Sequence, residues 1–582
     1  MATPQLLAAD GLDYIVFDYL AEITMSIMAR AKQKDPGAGY ASDFVTTVLQ
    51  PNLKEIALQG VKIIANAGGV NPKACGAAVR ALVAEQRLDL KVAVITGDDL
   101  MDRNAKISEA APREMFTGAD FPPPDSIASI NAYLGAFPIA KALELGADIV
   151  ITGRCVDSAV TLGACIHEFG WTADNWNRLA SGSLAGHILE CGPQATGGNF
   201  TDWKDADDIA NIGYPIGEIS EDGSFCVTKP EGTGGVVNIG TVSEQLVYEI
   251  GDPRGYLLPD VICDFSDVKI VQDGPDRVSV SPAKGRPAPS TYKTSLTYHD
   301  GFRAGLLLSF TGFEAEKKAR TFADAAFTRT RKIFRQFNAG DFTETSIEVI
   351  GAGSQYGDVV SDDREVVLKI AAKHSSAMGA GLLLKECAGL GLATPPGLSI
   401  FAGGRPKPSP VVRLYSYLTP KDAVTITIDV DGATETMRDA PGVSVDVHAD
   451  DKPARPSSPS ATEPMTNVPL IKLAWGRSGD KGDRANIGII ARKEEYLPFI
   501  WSALTPDAVA ERFAHFIDGN TDTNKVERFY MPGPNAINFL IDMVLGGGGT
   551  ASLRNDPQGK AYAQILLDHS ISIPEDMAKA LT

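Results

Sequence analysis

Short apolar segments alternate with amphipathic segments through the first 190 residues, and several apolar segments end in a polar loop. β-Branched apolar runs indicate buried strands, and the segments that follow them have the spacing of helices. The clearest cases are residues 61–65 before loop 66–72, residues 92–95 before loop 96–99, and residues 149–151 before loop 152–158. This alternation predicts a parallel sheet, and we expect the three loops to meet at the carboxyl ends of the strands, where α/β proteins bind ligands.

The pattern changes after about residue 195, where glycine, proline and threonine become frequent around short apolar segments. This composition predicts an antiparallel or mixed insertion up to about residue 300. Residues 301–445 return to an α+β pattern. Further predicted elements are strands over 13–20, 301–310 and 424–430, a helix over 314–337, and helices that begin after Pro72, Asp125 and Asp157. The predicted fold class is α/β, with a parallel-sheet N-terminal region of about residues 1–190 and a mixed α+β region over 195–445.

A segment rich in proline, serine and charge separates the last part of the chain. Such a composition cannot build a core, and proline makes it fairly stiff. We therefore predict a main domain over 1–448, a linker over 449–466 and a small C-terminal α+β domain over 467–582. The size of the last segment is usual for an independent fold.

The first polar loop carries two asparagines and two glycines: Asn66, Gly68, Gly69 and Asn71. Glycines let a backbone approach a ligand closely, and exposed amides at a helix N-terminus can hold an oxyanion or phosphate. We predict that Asn66 and Asn71 bind substrate and that the amides of Gly68 and Gly69 stabilise an oxyanion. The alternative is a tight βα turn before a helix that begins at Pro72.

The other two loops contribute charged groups. Arg154 and Ser158 are predicted to bind a substrate carboxylate or phosphate, with Asp157 orienting the guanidinium or moving a proton. Asp98 is a second candidate for proton transfer, and Asp99 for substrate binding. Helix capping by Asp157 and by the Asp98–Asp99 pair is the competing interpretation. Since no histidine or further acid completes a ligand set nearby, we expect no metal site.

Two later segments add candidates. His187 lies among small residues, with Glu190 and Cys191 just after it, and is a candidate general acid or base; a lone histidine is more often structural. The loop 476–484 packs five charged side chains among three glycines, which is typical of an anion-binding nest, and we predict that Arg477 and Lys481 bind substrate. An interface role for this glycine-rich region is the equal alternative.

Composition excludes several classes of protein. A formal charge of −19 and a pI near 4.9 argue against nucleic acid or an anionic membrane as a partner. Seven scattered cysteines without a CxxC pair suit a reducing compartment, the N-terminus lacks the basic region of a signal peptide, and no apolar run has the length of a membrane span. We therefore expect a cytoplasmic protein.

The motifs together resemble a known family. They are residues 66–72, 152–158, 213–217 with Glu218, 232–236, and, near the other end, 475–488. This combination is similar to the acyclic terpene utilisation protein A (AtuA) family, whose small C-terminal domain is described as ferredoxin-like. The resemblance covers nearly the whole chain. It implies a bacterial-type catabolic context, in which branched or terpenoid acids are degraded as coenzyme A thioesters.

No redox, nucleotide-hydrolysis or biotin motif is present in the sequence. The resemblance implies an acyl-CoA substrate, and the absence of these motifs leaves hydration, dehydration or carbon–carbon cleavage as the predicted reaction of an enzyme with no cofactor besides the coenzyme A of its substrate. A noncatalytic subunit or scaffold of a degradation complex is the alternative. Either protein could form a homo-oligomer through the glycine-rich C-terminal domain.

Overall fold

The computed structural model describes residues 2–357, 364–400, 406–444, 453–457, 459, 464–517 and 526–581. The helices are α1 (Ala2–Leu7), α2 (Glu22–Lys34), α3 (Gln50–Gln59), α4 (Pro72–Glu85), α5 (Asn104–Ala110), α6 (Phe137–Glu144), α7 (Ala159–Phe169), α8 (Trp176–Leu189), α9 (Ile239–Leu246), α10 (Ala315–Phe337), α11 (Ala377–Gly389), α12 (Leu497–Ala503), α13 (Pro506–Arg512), α14 (Gly548–Ala551), α15 (Tyr562–Leu567) and α16 (Glu575–Lys579). Across these ranges no helix combines the length and apolar character needed to cross a membrane.

The strands divide among six sheets. They are β1 (Tyr14–Phe17), β2 (Lys62–Ala65), β3 (Val92–Thr96), β4 (Ile127–Ala132), β5 (Ile149–Thr152), β6 (Ile216–Ile219), β7 (Phe225–Thr228), β8 (Tyr256–Leu257), β9 (Ile262–Asp264), β10 (Ile270–Gly274), β11 (Arg277–Val280), β12 (Lys284–Arg286), β13 (Thr291–Thr311), β14 (Glu344–Ile350), β15 (Glu365–His374), β16 (Leu398–Ser399), β17 (Ser409–Pro420), β18 (Ile426–Val430), β19 (Ala433–Met437), β20 (Met465–Pro469), β21 (Ala474–Lys481), β22 (Arg484–Ala491), β23 (Val526–Met531), β24 (Ala536–Ile541) and β25 (Ser570–Pro574).

The N-terminal sheet has the strand order β1-β2-β5-β3-β18-β19. Strands β1, β2, β5 and β3 run parallel, as the βα pattern predicts, and β18 joins β3 in the antiparallel sense. The central strands are buried on both faces: Ile63 and Ile151 pack into one core cluster, and Ile64 and Val150 into another. A continuous apolar run is therefore required in each strand. The carboxyl ends of all four parallel strands lie at one edge of the sheet.

One predicted element differs from the structure. A helix was expected after Asp125, but the chain there forms strand β4, which pairs antiparallel with β13. The long strand β13 also pairs with β15 and β17. Pairing with a partner more than 150 residues away outweighs the local helical spacing of this segment.

The middle of the main domain is antiparallel, as its composition predicts. Its sheets have the orders β10-β11-β7-β6, β12-β9-β8 and β14-β15-β13-β16, with β17 and β4 also paired to β13. Helices α10 and α11 pack on the last of these sheets. Strands β6 and β1 each end a sheet within the described chain, and they lie on either side of one groove.

The C-terminal domain is a four-stranded antiparallel sheet, β21-β22-β24-β23, with helices on one face. Alternate residues of β22 divide between the two faces. Ile487 and Ile489 enter the domain's own core, whereas Ile490 belongs to the core of the main domain. The second face of this sheet is therefore buried against the main domain. Of the predicted linker over 449–466, residues 449–452, 458 and 460–463 lie outside the described residues.

Candidate functional site

Asp98 fixes the backbone of the loop that follows β5. Its Oδ2 accepts the Arg154 amide at 2.8 Å and the Asn131 side-chain amide at 2.9 Å. The carboxyl also lies directly over Gly153, where a Cβ would be 2.4 Å from Oδ1, so only glycine fits there. Burial raises the pKa of Asp98 to about 6, although both hydrogen bonds oppose that rise. Asp98 thus holds the Thr152–Arg154 turn in place.

The asparagine–glycine loop holds its neighbours rather than presenting free donors. Asn66 donates to Asp18 Oδ1 at 2.5 Å and accepts the Tyr19 amide at 2.6 Å. The Gly68 amide donates to the Thr152 carbonyl at 3.1 Å, and the Gly69 amide to the Asn66 carbonyl at 3.3 Å. Both glycine amides therefore already have backbone acceptors in this conformation, and their oxyanion role stays a prediction.

Asn71, Asp99 and Ser158 also have local partners. Asn71 donates to two backbone carbonyls, at residues 36 and 38. Asp99 lies 3.6 Å from Lys32 Nζ and lines a separate pocket of about 320 Å³ on the outer side of the loop. Ser158 is buried at the start of α7, against Gly186 of α8. All three residues lie near the strand ends, and the side chains of Asn71 and Asp99 hold neighbouring backbone.

Arg154 projects from the same loop and has unused hydrogen-bonding capacity. Nη1 donates to the Leu20 carbonyl at 2.6 Å and to Asp157 Oδ1 at 2.7 Å, and the guanidinium carbon lies 4.1 Å from the centre of the Tyr133 ring. The side chain is only 4% exposed, and its Nε has no hydrogen-bond partner among the described residues. The guanidinium is therefore held rigidly with one donor unsatisfied.

A second cation and a carboxylate lie on the other side of Tyr133. Its hydroxyl donates to Glu22 at 2.8 Å, and Lys293 lies 3.5 Å from the same Glu22 carboxyl and 4.8 Å from the ring centre. Burial would raise the pKa of Glu22, but the charges of Lys293 and Arg154 lower it to about 2. Glu22 is therefore ionised at any physiological pH.

His187 is buried behind a second carboxyl. Its ring is 1% exposed, nearly parallel to Phe265, and its Nδ1 lies 3.1 Å from Glu190 Oε1. Burial raises the pKa of Glu190, and the nearby His187 opposes the rise. The imidazole therefore supports Glu190 from behind and does not itself face open space.

The C-terminal domain reaches this region with the β21–β22 hairpin. Lys481, at the tip, lies 5.5 Å from the centre of the Tyr256 ring. Burial lowers the pKa of Lys481, but its neighbours, which include Asp157 and Glu190, raise it above the usual value. Asp480 lies 3.6 Å from Lys560, and its own pKa is raised to about 7 by burial and by the charge of Glu249.

Arg477 belongs to the same hairpin but lies in the domain interface. Its Nε and Nη2 contact Glu244 Oε2 at 3.0 and 2.8 Å, Nη1 donates to Gln194, and Nη2 also donates to the Gly198 carbonyl at 3.1 Å. The side chains of Arg477 and Glu244 are 4% and 0% exposed. The structure therefore gives Arg477 a structural position, which corresponds to the interface alternative.

Several of these groups interact with one another through their charges. Asp18 illustrates it: burial and the charges of Asp157 and Glu190 raise its pKa well above the usual value, yet part of its surface remains open to water. Charge interactions of this kind link six side chains, and we call the region that they share the polar cavity: Asp18, Glu22, Arg154, Asp157, Glu190 and Lys481.

Sequence reasoning did not select three members of this region, Asp18, Glu22 and Glu190, or Lys293, which lies beside Glu22. Asp18 directly follows the apolar run of β1, so the same strand-end signal that identified Asp98 also marks it. Glu190 lies three residues after His187 on one helical turn. Glu22 and Lys293 have no such local signal, because packing of α2 and pairing of β13 with β4 place them.

No group of histidine, cysteine or acidic side chains in the described ranges has the arrangement of a metal site. All seven cysteines are free, and burial raises the pKa of the two nearest the cavity, Cys155 and Cys191. A raised pKa leaves each as an unreactive thiol at neutral pH. The chemistry available is that of carboxyls, two lysines and an arginine.

Comparison with known proteins matches two family models to the chain. The model of the acyclic terpene utilisation family protein AtuA matches residues 1–430, and that of the AtuA ferredoxin-like domain matches residues 468–572. The second match agrees with the small domain that carries the β21–β22 hairpin. Neither the curated proteins nor the solved structures contain a match to the chain.

Proposed function

Because the chain belongs to the acyclic terpene utilisation (AtuA) family, we propose that it is a catabolic enzyme acting on the coenzyme A thioester of a branched, acyclic terpenoid acid. The reaction is hydration, dehydration or carbon–carbon cleavage next to the thioester, without a redox cofactor. Coenzyme A takes part as a portion of the substrate. The polar cavity is the reaction site.

The observation that carries this proposal is the separation of pKa values around the polar cavity. Asp18 and Glu190 have raised pKa values, whereas Glu22 stays ionised. Carboxyls whose surroundings push their pKa values apart are typical of acid–base sites, and a proton-transfer group works best when its pKa is near the working pH. Asp18 and Glu190 are therefore the proton donors and acceptors, and Glu22 balances Lys293 and Arg154.

The reaction also requires a positive charge near the thioester oxygen, which the cations can supply. Removing a proton beside a thioester, or adding water to a double bond conjugated with it, builds negative charge on the thioester oxygen, which a fixed cation in a water-poor site stabilises. Arg154 has a free Nε, and Lys481 carries a positive charge held by acidic neighbours. Asp157 orients Arg154 through the 2.7 Å contact, and His187 positions Glu190. In this scheme Asp98 acts through the Arg154 backbone.

The test is turnover of a panel of branched enoyl-CoA and 3-hydroxyacyl-CoA thioesters by the full-length protein, followed by mass spectrometry. We expect Asp18→Asn and Glu190→Gln to reduce the rate by a hundredfold or more, the upper part of the usual range for a general acid or base. Glu386→Gln is the control, because it makes the same kind of substitution at a buried carboxyl that lies outside the cavity, 2.7 Å from Arg329.

Two results would contradict the proposal. Equal rates in Asp18→Asn, Glu190→Gln and the control would remove the cavity from the reaction. Failure to convert any thioester, together with copurification with a pathway enzyme at fixed stoichiometry, would favour the noncatalytic scaffold instead.

A further inference from the structure

A groove of about 720 Å³ adjoins the polar cavity. It runs between the edge strands β1 and β6, and the helices α7 and α8 contribute its floor. The groove follows β1 from Tyr14 to Asp18, which is about 13 Å at the usual rise of about 3.3 Å per residue.

The side of the groove nearest β6 is mainly apolar. Phe169 and Leu189 line it from the helices, and Ile216 and Ile219 from the strand. The N-terminal helix α1 closes the space from outside. Its Gln5 side chain donates to the Ile212 carbonyl at 3.1 Å and accepts the Tyr214 amide at 2.9 Å. A ligand in the groove would therefore meet apolar side chains on this side, next to a helix that two hydrogen bonds hold in place.

The inner end of the groove is polar. Asp18 and Glu190 line it, and the same two carboxyls bound the polar cavity. The two spaces therefore meet at the groups to which the proposed reaction assigns proton transfer. An amphiphilic ligand with a hydrocarbon chain and a reactive polar head fits this continuity, because each of its parts meets a matching environment.

From this continuity we infer that the groove binds the hydrocarbon chain of the acyl substrate, a chain of medium length, with its thioester at Asp18 and Glu190. The identity of the ligand as an acyl group rests on the proposed function; the apolar groove does not. An extended peptide could pair with the free edges of β1 and β6, but it would bring unpaired backbone groups to two buried carboxyls, which is costly.

Gly217 lines the groove on its apolar side. A Cβ at this position would lie 3.3 Å from Leu189 Cδ1 and 3.8 Å from Ile219 Cγ1, so a larger side chain would crowd these two lining groups. The backbone of Gly217 has no positive φ, so larger residues can adopt its conformation. A larger side chain at Gly217 is therefore limited by space and not by backbone conformation, and we expect it to fill part of the groove.

The experiment measures displacement of dansyl-undecanoic acid from the full-length protein by decanoic acid. We expect Gly217→Leu to weaken decanoic acid binding at least tenfold, and the double variant Gly217→Leu/Leu189→Ala to recover most of the loss. Gly389→Leu is the control, since it adds the same side chain near the end of α11, where the nearest group is Arg329 at 3.7 Å. Circular dichroism melting curves of each variant show that the fold is retained.

The outcomes separate this inference from the proposed function. No binding of the dansyl probe to the wild-type protein, or equal affinity for decanoic acid in Gly217→Leu, would overturn the inference. Displacement by an extended peptide but not by decanoic acid would do the same. Chain binding that depends on Gly217, without conversion of any thioester, would keep the inference and contradict the catalytic proposal.

Discussion

Arg154 and Arg477 come from opposite ends of the chain, and both are buried arginines paired with a carboxylate at 2.7 and 2.8 Å. They differ in whether any nitrogen of the guanidinium is left without a hydrogen-bond acceptor. Every nitrogen of the Arg477 guanidinium contacts an acceptor, and Glu244 has no exposed surface. Arg154 keeps an unpartnered Nε, and its partner Asp157 is 39% exposed. The contrast teaches that burial and pairing alone do not distinguish a binding arginine from a structural one, whereas a donor left without an acceptor does distinguish these two.

The largest expected effect tests Arg477, which the comparison identifies as the structural arginine. Arg477→Met leaves Glu244 charged and buried without a partner, so we expect unfolding free energy to fall by about 3–5 kcal/mol. Arg154→Met should cost less, because water reaches Asp157. Urea denaturation followed by circular dichroism measures both. The double variant Arg477→Met/Glu244→Met should recover much of the loss, and no recovery would mean that the interface depends on more than this pair.

A second test concerns the acid beneath Arg154. The folded-state pKa of Asp98 is about 6, against 3.8 as its ordinary value. Because the folded pKa is raised, the stability that protonated Asp98 contributes is present below about pH 4 and is lost as pH rises through about 6. Asp98→Asn keeps an acceptor for both hydrogen bonds, which end on one oxygen. The variant should therefore gain about 3 kcal/mol over the wild type between those pH values.

Urea denaturation at pH 4 and at pH 7 checks this difference. Parallel curves for Asp98→Asn and the wild type would show that Asp98 is not titrating in this range. Glu244→Gln is no substitute for Asp98→Asn, because it would also remove the negative charge that pairs with Arg477.

The smallest expected effect tests Arg154 as a ligand group. Arg154→Gln should weaken binding of a saturated branched acyl-CoA, which cannot be hydrated, by roughly 1.5–3 kcal/mol, the usual contribution of a hydrogen bond to a charged group. Isothermal titration calorimetry measures it. Arg80→Gln is the control, since Arg80 pairs with Asp429 and Asp431 away from the cavity. Unchanged affinity in Arg154→Gln would remove its role as anchor.

The parts of the fold that depend on local pattern could be predicted from the sequence. The parallel strands, the edge at which Asp98 and Arg154 meet, and the separate C-terminal fold all follow from runs of neighbouring residues. Strand β4 was mistaken for a helix because its pairing partner β13 is far away in the chain. The same reason hides Lys293, which β13 brings to Glu22.

The second property that could not be predicted from the sequence is which hydrogen-bonding groups already have a partner. Glycines at 68 and 69 indicate a close turn, but nothing local shows that the Thr152 carbonyl takes the Gly68 amide. Likewise, the charges of the 476–484 loop predict a nest for an anion, whereas Arg477 faces Glu244 and Lys481 extends to Tyr256. Only the three-dimensional neighbours distinguish these two side chains of one strand.

The shared sheet face of the C-terminal domain has a consequence for synthesis on the ribosome. Lys481 lies against Tyr256, and Lys560 pairs with Glu249. Both contacts can form only after translation has passed residue 541, because strand β24, which completes the sheet behind the two lysines, ends at Ile541. Until then the apolar surface around Val247, against which Gly488 packs in the folded protein, is uncovered. A nascent chain of this protein therefore passes through a stage in which the main domain is complete in sequence but lacks Lys481, Lys560 and the C-terminal sheet that covers it in the folded protein.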